Sequence, residues 1–231
     1  MEMPVIDPLE PAPKLIQRVY NRILDGIVER TLAPGHRIRQ SELAASLKVS
    51  RQPVSHALHL LHQQGLLTES GRKGFEVTAL NPSRIRQLYE VRSAIDGLAA
   101  RLAAQRANSD AAARAELERA LLAGCKADAA TPLAVLIAND VAFHRAVYRL
   151  SGNPAIEETV GPQWPHMRRS MATVLSELDY RASAWAEHTI IAKRILAGDA
   201  TGAAMAAESH ALTAGRATEE RLQSTAEEAA A

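Results

Sequence analysis

Between Ser41 and Leu67 the apolar residues fall into two short helical patterns joined by three residues. Leu43, Ala44 and Leu47 share one face of a first helix, which Ser41 opens and Glu42 supports in its first turn. Lys48-Val49-Ser50 make the turn, with Val49 filling the angle between the helices. Ser50 caps a second helix, and Pro53 is tolerated in its first turn because the amide there has no partner to lose. Val54, Ala57, Leu58 and Leu61 recur at helical spacing, while Arg51, Gln52, Ser55, His56, His59 and His62 lie on the other side. Gly65 ends the helix. Leu66-Leu67-Thr68, the turn Ser70-Gly71-Arg72-Lys73-Gly74 and Phe75-Glu76-Val77-Thr78 then read as a small β-hairpin with a basic tip. Upstream, Leu15, Val19, Ile23 and Ile27 predict an amphipathic helix ending before Ala33-Pro34-Gly35. Two short helices, a tight turn and a basic hairpin are the parts of a winged helix-turn-helix that reads DNA.

Beyond Asn81-Pro82 the pattern is helical almost throughout, which predicts an all-α antiparallel helical bundle. The helices expected are 82–106, 110–125, 131–150, 154–178, 180–197 and 199–223. Asn108-Ser109-Asp110, Ala130-Thr131-Pro132, Ser151-Gly152-Asn153-Pro154 and Gly198-Asp199 supply caps and breakers between them, with a weaker break near Asp179. The expected organisation is a flexible tail over 1–13, a DNA-binding domain over 14–80, a helical domain over 81–222 and a frayed end over 223–231. The chain is mainly α.

Charge sharpens this division. Residues 14–80 carry ten Lys/Arg against five Asp/Glu, and residues 81–231 carry seventeen against eighteen. A net charge of +1 for the whole chain therefore hides a basic N-terminal module of the kind a phosphate backbone attracts. Aromatics make up 3 % of the chain and alanine is abundant, which favours closely packed helices. The one cysteine, Cys125, excludes an internal disulfide framework, is expected to be a buried small residue, and fits a reducing cytoplasm. No apolar run is long enough to span a membrane, and the acidic, proline-rich start does not read as a signal peptide.

In the helical half, several polar residues fall where apolar ones belong. Asp140 and His144 share the inward face of Leu136, Ile137, Phe143 and Val147. His188 is in register with Ile191 and Ile195, and His210 follows the small-residue face of Ala203, Ala206 and Ala207. A buried carboxylate must be paired, protonated or bound to a metal. Three imidazoles and a carboxylate suffice for zinc, nickel, manganese or iron, with positions left for water or an anion. Each histidine alone reads first as an ordinary core or surface residue, and only the four together put a metal site on an equal footing. Arg92 lies inward with Leu88, Ile95 and Ala99 and requires an anion. Asp96, four residues on, is one partner; a small carboxylate ligand is the other. Arg168 and Arg169 are expected at the surface, and Trp164 and Trp185 as packing residues.

Two segments resemble a known family. Pro34-Gly35-His36-Arg37-Ile38, Ser41-Glu42-Leu43-Ala44, Val49-Ser50-Arg51-Gln52-Pro53-Val54, Ala57-Leu58, Leu61, Gly65-Leu66 and Gly74-Phe75-Glu76-Val77 resemble the winged helix-turn-helix of the GntR superfamily. Asp140 to His144, Ser151-Gly152-Asn153, Glu187-His188, Ile191, Ala192, Ile195, Gly198-Asp199, Ala203 and His210 resemble the FCD ligand-binding domain of its FadR-like branch. The resemblance implies that Ser50, Arg51 and Gln52 enter the major groove, with Ser55 and His56 on the same side. Arg37 and Arg39 would touch phosphates or bases, and Arg72, Lys73 and Gly74 would form the wing. It implies that Asp140, His144, His188 and His210 hold a divalent metal, zinc first among them, and that Arg92 binds an effector. The family usually has Arg and Glu at Ser55 and His56, a difference that could remove about 1–3 kcal/mol of base discrimination. Asp96 stands where Glu is usual.

The expected function is a ligand-responsive transcription repressor. A homodimer would leave a palindromic operator when a small carboxylate or sugar acid reaches the metal. A purely structural metal is the alternative. An enzyme is not expected, because no further inward Glu or His serves as a general base and no metalloprotease motif is present.

Overall fold

Val19, Tyr20, Ile23, Leu24, Ile27 and Val28 are all buried on α1 (Pro13–Val28), which packs this stripe against the helix over 51–63. A computed structural model describes residues 13–71 and 74–230, so Arg72, Lys73 and nearly all of the expected tail lie outside the described residues. The chain divides into two units that meet between Ala79 and Leu80.

In the first unit, α2 (Gln40–Leu47) and α3 (Arg51–Gln63) are joined by Lys48 in the left-handed region, φ 53°. That conformation lets the Val49 amide reach the Ala44 carbonyl. Ser50 holds the N-cap position of α3 but its side chain makes no capping bond. The buried face of α3 is Val54, Ala57, Leu58 and Leu61, as the spacing predicts, with Pro53 also buried. Gly65, at φ 74°, ends the helix: its amide bonds His62 and the Leu66 amide bonds Leu61. These two bonds satisfy carbonyls that the helix end would otherwise leave unpaired.

The wing hairpin is β2 (Leu67–Ser70) and β3 (Gly74–Val77), antiparallel. A further strand, β1 (Arg37–Arg39), pairs with β3 and places Ile38 opposite Phe75. The sheet order is β1-β3-β2. The spacing does not reveal β1, since three residues with one buried position carry no period. The strand also runs straight into α2, so that helix starts at Gln40 and Ser41 lies inside it.

The second unit is a bundle of α4 (Pro82–Arg106), α5 (Ala111–Cys125), α6 (Leu133–Ser151), α7 (Pro154–Val160), α8 (Trp164–Val174), α9 (Leu178–Leu196) and α10 (Ala200–Ala230). Asn81, Asp110 and Asn153 cap α4, α5 and α7 through their side chains. The longest packing seam joins α4 and α10. Both helices bury alanines there: Ala99, Ala100, Ala103 and Ala104 on one, Ala203, Ala207, Ala211 and Ala214 on the other. Their approach is so close that a Cβ on Gly215 would sit 2.7 Å from the Tyr89 Cβ.

Four further expectations change. The helix expected over 154–178 is α7, a 3₁₀ turn (Gly161–Gln163) and α8. Pro162 and Pro165 lack the amides that a continuous ladder would need. The last helix continues to Ala230, through the stretch expected to fray. Cys125 is exposed rather than buried, and Arg169 is buried rather than exposed. Among the described residues, no helix is long and apolar enough to cross a membrane.

Candidate metal centre and DNA-reading face

One helical turn separates Asp140 from His144 on α6, so both side chains leave the same face. α9 brings His188 to that face and α10 brings His210. All four residues are buried, and His188 is 0 % exposed. One ring nitrogen from each of His144, His188 and His210 lies within 4.8 Å of the other two. His188 Nε2 and His210 Nε2 are 3.0 Å apart. Asp140 flanks the triad, with Oδ1 3.6 Å from His144 Nε2 and Oδ2 4.0 Å from His188 Nε2. The beside-lying cavity measures about 10 Å³, the space of a single water or ion.

This donor set fits a divalent cation. His144 Nε2 is buried without a hydrogen-bond partner, an orphan lone pair that a cation would satisfy. Burial, then Arg92 and the neighbouring imidazoles, hold the His144 ring well below the usual histidine range. Burial, His210 and Arg92 do the same to His188. Both rings therefore present neutral lone pairs. Burial pushes the Asp140 carboxyl upward, partly offset by Arg92 and His210. A nearby cation favours the ionised form of such a carboxyl.

Glu187 corrects an expectation. Its place beside His188 suggests that it turns away from the centre. It does leave the His188 face, but its Oε2 meets His210 Nδ1 at 2.7 Å. A carboxylate there keeps the proton on Nδ1 and turns the Nε2 lone pair inward. Glu187→Gln is expected to lower zinc affinity by roughly 10–100-fold, read by competition with a chromophoric chelator. An unchanged affinity would show that His210 needs no such support.

Arg92 sits beside this centre, fully enclosed. Its Nε donates to Asp96 Oδ2 at 3.1 Å, while Nη2 has no partner. Tyr89 and Trp164 face the guanidinium at 5.2 and 5.8 Å. Burial works against its charge, but Asp96, then Tyr148, Tyr89 and Asp140, outweigh burial and raise its pKa. Tyr148 donates its hydroxyl to Asp96 Oδ1 at 2.5 Å. Trp164 and Trp185 are buried as expected, yet each also borders this region: Trp185 lies 4.7 Å from the His188 ring and Trp164 6.5 Å from that of His144.

In the first unit, Ser50, Arg51, Gln52 and His56 are exposed at the start of α3, and Ser55 is half-buried. Arg37 and Arg39 point outward from β1. A cleft of about 490 Å³ brings Arg37, Arg39, Ser41, Arg51 and Gly74 around one concavity. Arg37 pairs with Glu76 at 3.5 Å and Arg39 with Glu42 at 3.0 Å. Exposed pairs of this kind contribute little and exchange readily for phosphate. His62 does not face outward: its Nδ1 donates to the Leu67 carbonyl at 2.9 Å and its ring tilts against Phe75, bracing the wing.

Residues 15–77 match the bacterial regulatory proteins of the gntR family, and residues 87–227 match the FCD domain. An uncharacterised HTH-type transcriptional regulator in an unstable DNA locus of Streptomyces ambofaciens is 31 % identical over 192 residues, 83 % of this chain and 80 % of that protein. The HTH-type transcriptional repressor RspR of Escherichia coli K12 is 31 % identical over 102 residues, 44 % of this chain and 45 % of that protein. Alignments with several other curated relatives span half or less of those proteins' lengths. A putative GntR transcriptional regulator from Rhodococcus sp. RHA1 superposes with a TM-score of 0.70 at 22 % identity, covering 90 % of this chain and 97 % of that one. At that identity the likeness shows the fold alone.

Proposed function

We propose that this chain, a DNA-binding transcription regulator that belongs to the GntR family and carries an FCD domain, is a cytoplasmic repressor released from DNA by a small carboxylate effector. It acts as a homodimer on a palindromic operator, one winged module per half-site. Asp140, His144, His188 and His210 hold a divalent metal, zinc first and nickel, manganese or iron after it. When bound, the ion supplies a Lewis-acidic site for an anionic oxygen. Arg92 binds the effector's carboxylate. The observation that carries this reading is the burial of four donor side chains and an arginine side by side in the domain that does not read DNA. The likeness to RspR, a repressor, supports repression over activation. Catalysis has no part in the proposal.

On the DNA side, Ser50, Arg51, Gln52, Ser55 and His56 read the major groove. Arg37 and Arg39 meet the backbone or bases, and Arg72, Lys73 and Gly74 form the wing contact. Selecting genomic fragments on the full chain should recover an inverted repeat. Arg51→Ala should weaken binding to that repeat by about 1–3 kcal/mol, measured by fluorescence anisotropy across a salt series. Recovery of no common sequence would end the reading.

On the effector side, small carboxylic and sugar acids are screened by thermal shift, with and without EDTA treatment. A ligand at a hundredfold excess over its Kd stabilises by about 2.7 kcal/mol. The shift should disappear after stripping. A second reading, a purely structural metal, draws support from the cavity, which at about 10 Å³ admits no acid while Asp96 stays in place. It predicts no shift with any acid and a large loss of melting temperature on stripping.

A further inference from the structure

Asp96 fills the position that an effector's carboxylate would need. It faces groups from two helices at once. Oδ2 accepts from Arg92 Nε on its own helix, Oδ1 accepts from the Tyr148 hydroxyl on α6, and Oδ2 lies 3.6 Å from His144 Nδ1. All four residues are buried. An aspartate side chain ends in the same atoms as acetate. The adjoining cavity, lined by Asp96, His144, Tyr148 and His210, leaves no room for a second carboxylate. Arg92 keeps Nη2 unpartnered, so the guanidinium's bonding is only partly met by Asp96.

Resting on the reading above, we infer that Asp96 is an internal stand-in for the effector, so that a small carboxylate enters by displacing Asp96 from Arg92 and Tyr148. The grip on Asp96 then sets which acids bind and how tightly. The space released is one carboxymethyl group, which favours monocarboxylates of two or three carbons over bulky acids. The incoming carboxylate keeps the buried guanidinium neutralised, as its enclosure requires. Displacement also breaks the Asp96–Tyr148 bond, a link between α4 and α6. The ligand therefore meets different contacts in two states, which is the condition for shifting a population between them.

Acetate is the probe, titrated by calorimetry into the zinc-loaded full-length chain. Wild type should bind it weakly. Asp96→Asn removes the competing charge and should bind acetate at least about tenfold tighter. Asp96→Ala, which also opens the space, should bind at least as tightly as Asp96→Asn. Arg92→Met/Asp96→Asn lacks the guanidinium and should lose the gain. If the single variants do not fold in chloride buffer, refolding is repeated in acetate: recovery supports the stand-in, and failure to recover overturns it. Equal or weaker affinity in the Asp96 variants than in wild type overturns the stand-in and leaves an acid site in place. A gain that survives removal of Arg92 also overturns it, placing acetate elsewhere. Absence of acetate binding in every variant sinks the carboxylate reading itself, because Asp96→Asn leaves a buried guanidinium with no counter-charge.

Discussion

Arg92→Ala is expected to destabilise the metal-stripped helical domain by about 3–5 kcal/mol, measured by urea unfolding. The magnitude follows from what remains behind. Asp96 is 3 % exposed and would keep a single hydrogen bond, from Tyr148, with its counter-charge gone. The contacts of the guanidinium with the Tyr89 and Trp164 rings disappear as well, a smaller loss of about 0.5–2 kcal/mol. The companion variant separates charge from volume. Arg92→Met/Asp96→Leu removes both charges and refills the space, and buried pairs replaced in this way are often neutral or stabilising. The double variant should therefore lie within about 1 kcal/mol of wild type or above it. A single variant that costs no more than the double would show that Asp96 relaxes freely to water.

A buried pair that contributes little net stability invites the question of why the chain keeps it. Under the effector reading the answer is function: an arginine that must bind an incoming acid has to stay charged and positioned without one. Asp96 does this from the same helix, one turn away, so the pair forms wherever α4 forms.

The same contrast, within a helix and between helices, decides how much of the site the sequence discloses. Asp140 and His144 are four residues apart, and Arg92 and Asp96 likewise; helical spacing alone puts each pair on one buried face. His188 is legible through its register with Ile191 and Ile195. What spacing cannot supply is the partner from another helix. Tyr148 and His144 reach Asp96 only because α6 packs on α4. Glu187 points about a quarter-turn away from His188 on α9, and it meets His210 only because α10 crosses there. The misread helix over 154–178 fails for the opposite reason. Ile156, Val160, Trp164, Met167, Met171 and Val174 continue a helical spacing across the break and are all buried. The apolar pattern persists where Pro162 and Pro165 interrupt the hydrogen-bond ladder. In the first unit, the hairpin shows itself through its turn residues, whereas β1 is too short to have a pattern.

His188→Ala should abolish metal retention through dialysis. Four-ligand structural zinc sites reach apparent binding energies of about 10–16 kcal/mol, so one ligand is worth roughly 3–4 kcal/mol, on the order of a hundredfold to a thousandfold in affinity. Of the four proposed ligands, His188 is the one to choose because its neighbours converge on it. His210 Nε2 is 3.0 Å away, Asp140 is 4.0 Å away, and the Phe143 ring stacks on it at 4.3 Å. That centrality also means the variant leaves a cavity, so lost stability alone would not identify a lost ligand. Non-additivity separates the two. EDTA should lower the melting temperature of wild type and leave that of His188→Ala unchanged, because treatment and substitution remove the same interaction. Equal loss in both proteins would place the metal outside this cluster. If the metal is a sensor's, His188→Ala stays folded at room temperature and loses the acid-dependent thermal shift. If it is structural, the variant and the stripped wild type unfold together, with acids making no difference to either.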